Sequence, residues 1–150
     1  MPYALNKGEF LLVNIPDLPN NYIFKKSSLT IVPWEKDIFW VGTSHEWKFN
    51  TIEPTKEFRE KIIAQLKDFL KTSFKVLDHQ AAIRSATLER RPFVGLHPTI
   101  SQIGILNGMG TKGCSLAPYF AYELAQHLCF GRIMNVETNV KRFEKTLKRN

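Results

Sequence analysis

Cysteine is scarce. The 150 residues hold only two, Cys114 and Cys129, and no partner residues stand around them at ligand spacing. That excludes a zinc pattern and a disulfide framework, and leaves reduced thiols in a cytoplasmic protein as the expectation. Long apolar runs are also lacking: Phe10 to Val13 and Ile103 to Leu106 are far too short to cross a bilayer, so no membrane span is expected. The opening Met1-Pro2-Tyr3-Ala4 has no basic region followed by an apolar one, so no secretory signal is expected. There is no internal repeat and no low-complexity stretch. The four histidines, His45, His79, His97 and His127, show no metal-ligand spacing, and no serine–histidine–acid order can be built from them. Acidic residues are outnumbered, 14 against 21 basic ones, for a net charge of +7. The excess is scattered except for a tail of Lys141, Arg142, Lys145, Lys148 and Arg149. No aromatic residues interleave with that tail, so it reads as a solvated helical face and not as a nucleic-acid surface.

What is present suits one sizeable core, with 43% hydrophobic and 23% charged residues. Gly8 to Val13 is a strand candidate, closed by the turn-rich stretch Pro16 to Asn21. Leu29 to Pro33 and Ile38 to Thr43 flank Glu35-Lys36-Asp37 as a hairpin. Pro54 precedes a helix expected over Thr55 to Leu70, where Phe58, Ile62, Leu66 and Phe69 make an apolar stripe and Glu57 and Glu60 suit the helix start. Phe74 to Leu77, Ala81 to Leu88 and Phe93 to Gly95 read as extended. Ile103 to Leu106 reads as a short buried strand. A helix follows from about Ser115 to Leu128, with Leu116, Phe120, Leu124 and Leu128 recurring every four residues. Arg132 to Val136 reads as a brief strand, and Thr138 as the cap of a last helix through Leu147. The expected class is α+β, with a mainly antiparallel sheet covered by one helix.

Between the strand and the penultimate helix stands Gly108-Met109-Gly110-Thr111-Lys112-Gly113. Strand, G-x-G-x-x-G, helix is formally the dinucleotide fingerprint, and Glu137 falls near the place of a ribose-binding acid. Too few residues follow Glu137 for a doubly wound sheet, and the preceding segment does not alternate strand and helix. A phosphate-binding loop of the lysine–serine/threonine type is excluded because Cys114-Ser115 follow Gly113. A glycine-rich turn with only a packing role stays open at this point.

Two runs carry a resemblance. The segment Ala82-Ile83-Arg84-Ser85-Ala86-Thr87-Leu88-Glu89-Arg90-Arg91-Pro92-Phe93-Val94-Gly95 resembles the "AGIRPxTxDxxPxIG" segment of the D-amino-acid oxidase superfamily, which includes glycine oxidase and sarcosine oxidase. Gly108 to Pro118 is similar to the closing "GxGxxGxxLAP" motif of the same family, and the spacing between the two runs fits. A weaker likeness reaches back to Gly8 and to Val41-Gly42-Thr43. The resemblance implies that 1–98 is a portion of a substrate domain. It implies that 99–150 is the C-terminal segment of an FAD-binding domain, with Ile103 to Leu106 as its closing strand.

In that family the arginine at the position of Arg84 binds the substrate carboxylate, as a planar two-oxygen fork suits. A structural ion pair is the alternative for this residue. The loop residues Gly108, Met109, Gly110, Thr111, Lys112, Gly113, Cys114 and Ser115 would lie against the pyrimidine edge of the flavin, where backbone donors favour the reduced, negatively charged ring. Ser85 stands where the family has proline. Thr111 and Ser115 stand where glycine oxidase has a second arginine and sarcosine oxidase a lysine, so the resemblance leaves the amine or amino-acid substrate open. His45 follows the Val41 strand and would face either the cavity or an ordinary loop partner. Full family members carry the FAD pyrophosphate loop well upstream, so the chain is expected to be a C-terminal part whose N-terminal nucleotide-binding half is its missing partner. FAD is then the cofactor of the complete protein and binds this chain alone weakly. An apolar face left by that half implies self-association. Two other readings stand beside this one: a non-catalytic module for an anionic partner, and a stand-alone nucleotide binder through the Gly108 loop.

Overall fold

The computed structural model describes residues 1–148; Arg149, the end of the basic tail, lies outside the described residues. By packing, the chain divides into two compact units: Asn6–Arg84, and Met1–Leu5 with Ser85–Asn150. The class is α+β, as expected.

The first unit holds the greater part of a five-stranded sheet of β1 (Tyr3–Asn14), β2 (Phe24–Lys26), β3 (Leu29–Glu35), β4 (Ile38–Gly42) and β5 (Lys75–Thr87), in the order β2-β3-β4-β1-β5. Strands β2 and β3, β3 and β4, and β1 and β4 pair antiparallel. The hairpin forms where expected. Asp37 turns it in the left-handed region at φ 57°, and its carbonyl accepts from Asn14 Nδ2 at 3.2 Å. The register shifts between Pro33 and Glu35, where proline has no N–H for the ladder.

Alternation decides the core. Leu11, Val13 and Ile15, Leu29 and Ile31, and Phe39 and Val41 all turn to one face and are buried. The helix α1 (Lys56–Phe69) covers that face with Phe58, Ile62 and Leu66. The helix starts at Thr55 because its Oγ1 accepts from the Phe58 N–H. It ends at Leu70, whose N–H returns to the Leu66 carbonyl at 2.8 Å.

Two separate extended stretches were expected over Phe74–Leu77 and Ala81–Leu88, and one strand, β5, is found. The polar run between them is no break: His79 turns inward to Glu9 at 3.0 Å, while Gln80 bonds Asp78 at 2.6 Å.

The second unit holds a two-stranded antiparallel sheet, β6 (Phe93–Leu96) and β7 (Gly104–Asn107), with Phe93 opposite Asn107 and Leu96 opposite Gly104. Because β6 pairs with β7, it belongs with the later part of the chain, and the packing boundary falls at Arg84/Ser85, ahead of the 98/99 division read from the sequence. The helix α2 (Gly113–Phe130) packs Phe120, Leu116 and Leu124 against Val94 and Met134. It closes at Gly131 in the left-handed region. Phe93 is fully buried between the edges of Tyr3 and Phe143, and the Arg142 guanidinium lies on both Phe93 and Phe143.

Three expectations fail in this unit. The strand at Ile103–Leu106 is displaced to Gly104–Asn107 and is not buried, with Ile103 53% and Leu106 39% exposed. Arg132–Val136 is not a strand. Met134 alone turns inward, and the Thr138 N–H bonds the Asn135 carbonyl in a turn. The last helical stretch is a 3-10 turn at Val140–Phe143 followed by α3 (Glu144–Leu147). It is capped by Asn139, not Thr138, because Asn139 Oδ1 takes the Lys141 N–H at 2.9 Å.

Candidate functional site

Successive side chains of β1 point to opposite faces. Lys7 and Glu9 therefore share the helix-covered face with Leu11, while Asn6 and Gly8 belong to the other. Each face gathers polar chemistry.

On the Asn6 side lies Arg84 of β5. Its Nη1 donates to Asn6 Oδ1 at 2.8 Å and to the Ser44 carbonyl at 3.1 Å, and its Nη2 donates to Thr43 Oγ1 at 2.7 Å. A guanidinium carries five N–H donors, so two are left over. Among the described residues no carboxylate pairs with Arg84. Its hydrogen-bond partners among the described residues are all neutral oxygens. Burial holds the guanidinium below its ordinary pKa, through the cost of desolvating the cation. The floor beneath it is Gly8, where any Cβ would overlap the Arg84 guanidinium. His45 sits in the same cluster, with Nδ1 3.3 Å from Asn6 Oδ1. An amide oxygen only accepts, so Nδ1 is the donor in this contact.

On the opposite face a buried ionic cluster ties the helix to the sheet. Glu9 takes the Thr55 N–H at 2.7 Å, the Thr55 hydroxyl at 2.9 Å and His79 Nε2 at 3.0 Å. Lys7 Nζ lies 3.5 Å from Glu9 and 3.6 Å from Glu46, and His79 stacks on Phe58. Lys7 and Glu9 are each 1% exposed. This cluster positions the start of α1, with Lys7 and Glu9 closed off from solvent.

The glycine loop belongs to the second unit, Arg84 to the first. Gly108 needs both its conformation and its lack of a side chain. Its φ is 78°, and a Cβ would press on Thr87 Cγ2 and approach the Arg91 carbonyl. Met109 packs inward against the Val94 cluster. The rest of the loop faces out: Gly110, Thr111, Lys112, Cys114 and Ser115 are exposed. Gly110 has φ 60° with open space where a Cβ would stand. A 3-10 turn at Gly110–Lys112 runs into α2, with the Gly113 N–H on the Gly110 carbonyl. Neither start has a side-chain cap or an acidic residue in its first turn. No side chain competes for the donors at this end, and the local charge is that of Lys112, a setting for an anion or an electron-rich ring edge. The preceding strand pairs antiparallel, not in the parallel manner of a doubly wound nucleotide site. Among the described residues no group of histidine, cysteine and acidic side chains is placed to hold a metal.

Asn6 and Ser44 were not singled out from the sequence, and Gly8 and Thr43 were named only within the weaker likeness. Gly8 had a signal: a glycine inside a strand marks a close approach by another group. The other three are ordinary polar residues until β4 and β5 flank β1.

A family model described as FAD-dependent oxidoreductase matches residues 3–127. Among solved structures, the fold is similar to that of iminodiacetate oxidase from Chelativorans sp., with a TM-score of 0.71 and 18% identity over 90% of this chain and 38% of that one. Glycine oxidase from Bacillus cereus gives 0.70 and 16%, over 87% of this chain and 37% of that one. L-proline dehydrogenase from P. horikoshii gives 0.66 and 19%, over 97% and 41%. At these identities the likeness is one of fold, and the chain spans about two fifths of each of those proteins.

Proposed function

Since the chain belongs to the family of FAD-dependent oxidoreductases, we propose that it is the C-terminal part of an enzyme that oxidises an amine or amino acid by hydride transfer to flavin. The observation that carries this reading is Arg84: a part-buried guanidinium set among neutral acceptors, with two N–H donors left and, among the described residues, no carboxylate of its own. That is the complement of one carboxylate. Glycine, iminodiacetate and proline, in the names of the similar proteins, each combine a nitrogen with an acid group. Thr111 and Ser115 are uncharged, so Arg84 is the acid-binding cation of this reading.

The residues present fit the cofactor. Gly108 to Ser115 offer an uncapped helix start, exposed backbone and Lys112, and lack acidic groups, as suits the pyrimidine edge of a flavin. When bound, the flavin accepts the hydride and passes the electrons on. Arg84 holds and orients the acid group, and the loop presents donors. In this reading Asn6–Arg84 is the substrate-domain portion. Ser85 onward is the C-terminal segment of the FAD-binding domain, its boundary drawn where the packing changes and not at 98/99. The exposed Tyr122, Leu128, Phe130 and Ile133 support a surface for the N-terminal half, and for self-association when that half is absent. Free Cys114 and Cys129 support a cytoplasmic setting.

The test supplies an N-terminal FAD-binding half in trans. The expected result is an oxidised-flavin spectrum and amino-acid oxidation. Arg84→Gln should raise KM roughly 10- to 100-fold, the worth of a charge-assisted contact. No flavin uptake, or a KM indifferent to Arg84, ends the proposal.

A further inference from the structure

We propose that Asn6 and Gly8 are the positioning residues of the Arg84 site: Gly8 opens the floor on which the guanidinium lies, and Asn6 sets its rotation without cancelling its charge. The inference rests on the reading of Arg84 as the carboxylate-binding residue.

Gly8 is inside a strand, where glycine packs nothing and weakens the sheet. Its use here is explained by space, because a Cβ would overlap Nη1, Nη2 and Cζ of Arg84. A methyl group at this position would lift the side chain off β1.

Asn6 is 2% exposed. Arg84 fixes which way its amide points, since a reversed amide would set N–H against N–H. With Oδ1 committed to Arg84 at 2.8 Å, Nδ2 is buried without a partner among the described residues. A buried orphan donor is destabilising, and a residue kept only for packing would shed it by becoming apolar. An aspartate would bind the guanidinium more strongly than the amide does, but would neutralise it. The amide holds the guanidinium and leaves its charge for the ligand. Thr43 Oγ1 and the Ser44 carbonyl complete the setting with neutral oxygens. The site is built for a ligand with an acid group, and a neutral amine gains little from it.

The test uses the 150-residue chain, with the NMR signal of the Arg84 Nε–H as reporter and glycine as the probe, acetate serving as a carboxylate without an amine. Asn6→Asp should keep the Arg84 signal as narrow as in the wild type while weakening glycine and acetate by about tenfold or more. Asn6→Ala should broaden that signal and weaken both acids by about tenfold, with the melting temperature unchanged or raised. Gly8→Ala should shift the Arg84 signal and weaken both acids as well. A lowered melting temperature in Asn6→Ala with unchanged affinity would make Asn6 a structural residue and overturn the proposal. Wild-type affinity in Asn6→Asp would overturn it too, and that variant keeps the question open to measurement if the alanine form does not fold. Arg84→Gln separates the two levels. If it leaves glycine and acetate affinity unchanged, or if the wild type shows no shift at Arg84, the carboxylate reading falls and this inference with it. If Arg84→Gln abolishes binding while the Asn6 and Gly8 variants bind normally, only the positioning role fails.

Discussion

Replacing Glu9 by alanine should be among the most costly single changes in the first unit. Glu9 is 1% exposed and serves three groups at once: the Thr55 N–H and hydroxyl at the start of α1, and His79 on β5. It is also the buried partner of Lys7, itself 1% exposed. Without it Lys7 has, among the described residues, only Glu46, 3.6 Å away with a side chain 41% exposed, and the Thr55 N–H loses its acceptor. Removing one member of a buried pair costs about 3–5 kcal/mol, because the other charge stays buried. For a chain of this size that is roughly 10 °C in melting temperature. The double variant Lys7→Met/Glu9→Leu removes both charges. It should recover all but about 1 kcal/mol, the share belonging to the helix cap. Urea unfolding followed by tryptophan fluorescence is the assay, since Trp34, Trp40 and Trp47 all lie in this unit and report on it alone. A cost below about 1 kcal/mol for Glu9→Ala, or a double variant no more stable than the single one, would refute the reasoning from buried charge.

Leu66 is fully buried under the sheet, so Leu66→Ala should cost about 2–5 kcal/mol in the same urea experiment. Gly108→Ala combines a positive φ with a Cβ pressed on Thr87 and should cost roughly 2–3 kcal/mol by thermal melting. Gly110→Ala has the same conformational problem with open space around it and should cost about 1 kcal/mol; equal costs would deny the packing role of Gly108. Lys26 holds the Asp68 carboxyl below its ordinary value, Gln80 and the His79 N–H do so for Asp78, and Lys148 for Glu144. A carboxyl with a depressed folded pKa stabilises the protein above its unfolded value, and that share is lost as pH falls below about 4. Carboxyl titrations by NMR should show all three midpoints below the unfolded ones. Salt should shrink the shifts of Asp68 and Glu144 more than that of Asp78, whose largest contribution is a neutral amide.

Local pattern was legible wherever one force acted alone. The Phe58, Ile62, Leu66 stripe following Pro54 placed α1 to within a residue of its observed start, and the hairpin around Asp37 followed from β-branched runs flanking a polar turn. Reading failed where a tertiary partner reversed a local sign. Asp78-His79-Gln80 looked like a gap and is strand, because Glu9 receives His79. Arg132–Val136 looked like a strand and is not, because no neighbour offers it a ladder.

The two late motifs were enough, as residues in a row, to single out Arg84 and the Gly108 loop as the places where chemistry would concentrate. The sequence by itself also determined the α+β class, since periods of two and four residues specify which side chains can share a face. Only the tertiary structure decided what surrounds Arg84. Asn6, Gly8, Thr43 and Ser44 come from segments far apart in the chain, and their role depends on β4 and β5 both flanking β1. Hydrogen-bond partners and room for a guanidinium are properties of that pairing, and no single strand carries them.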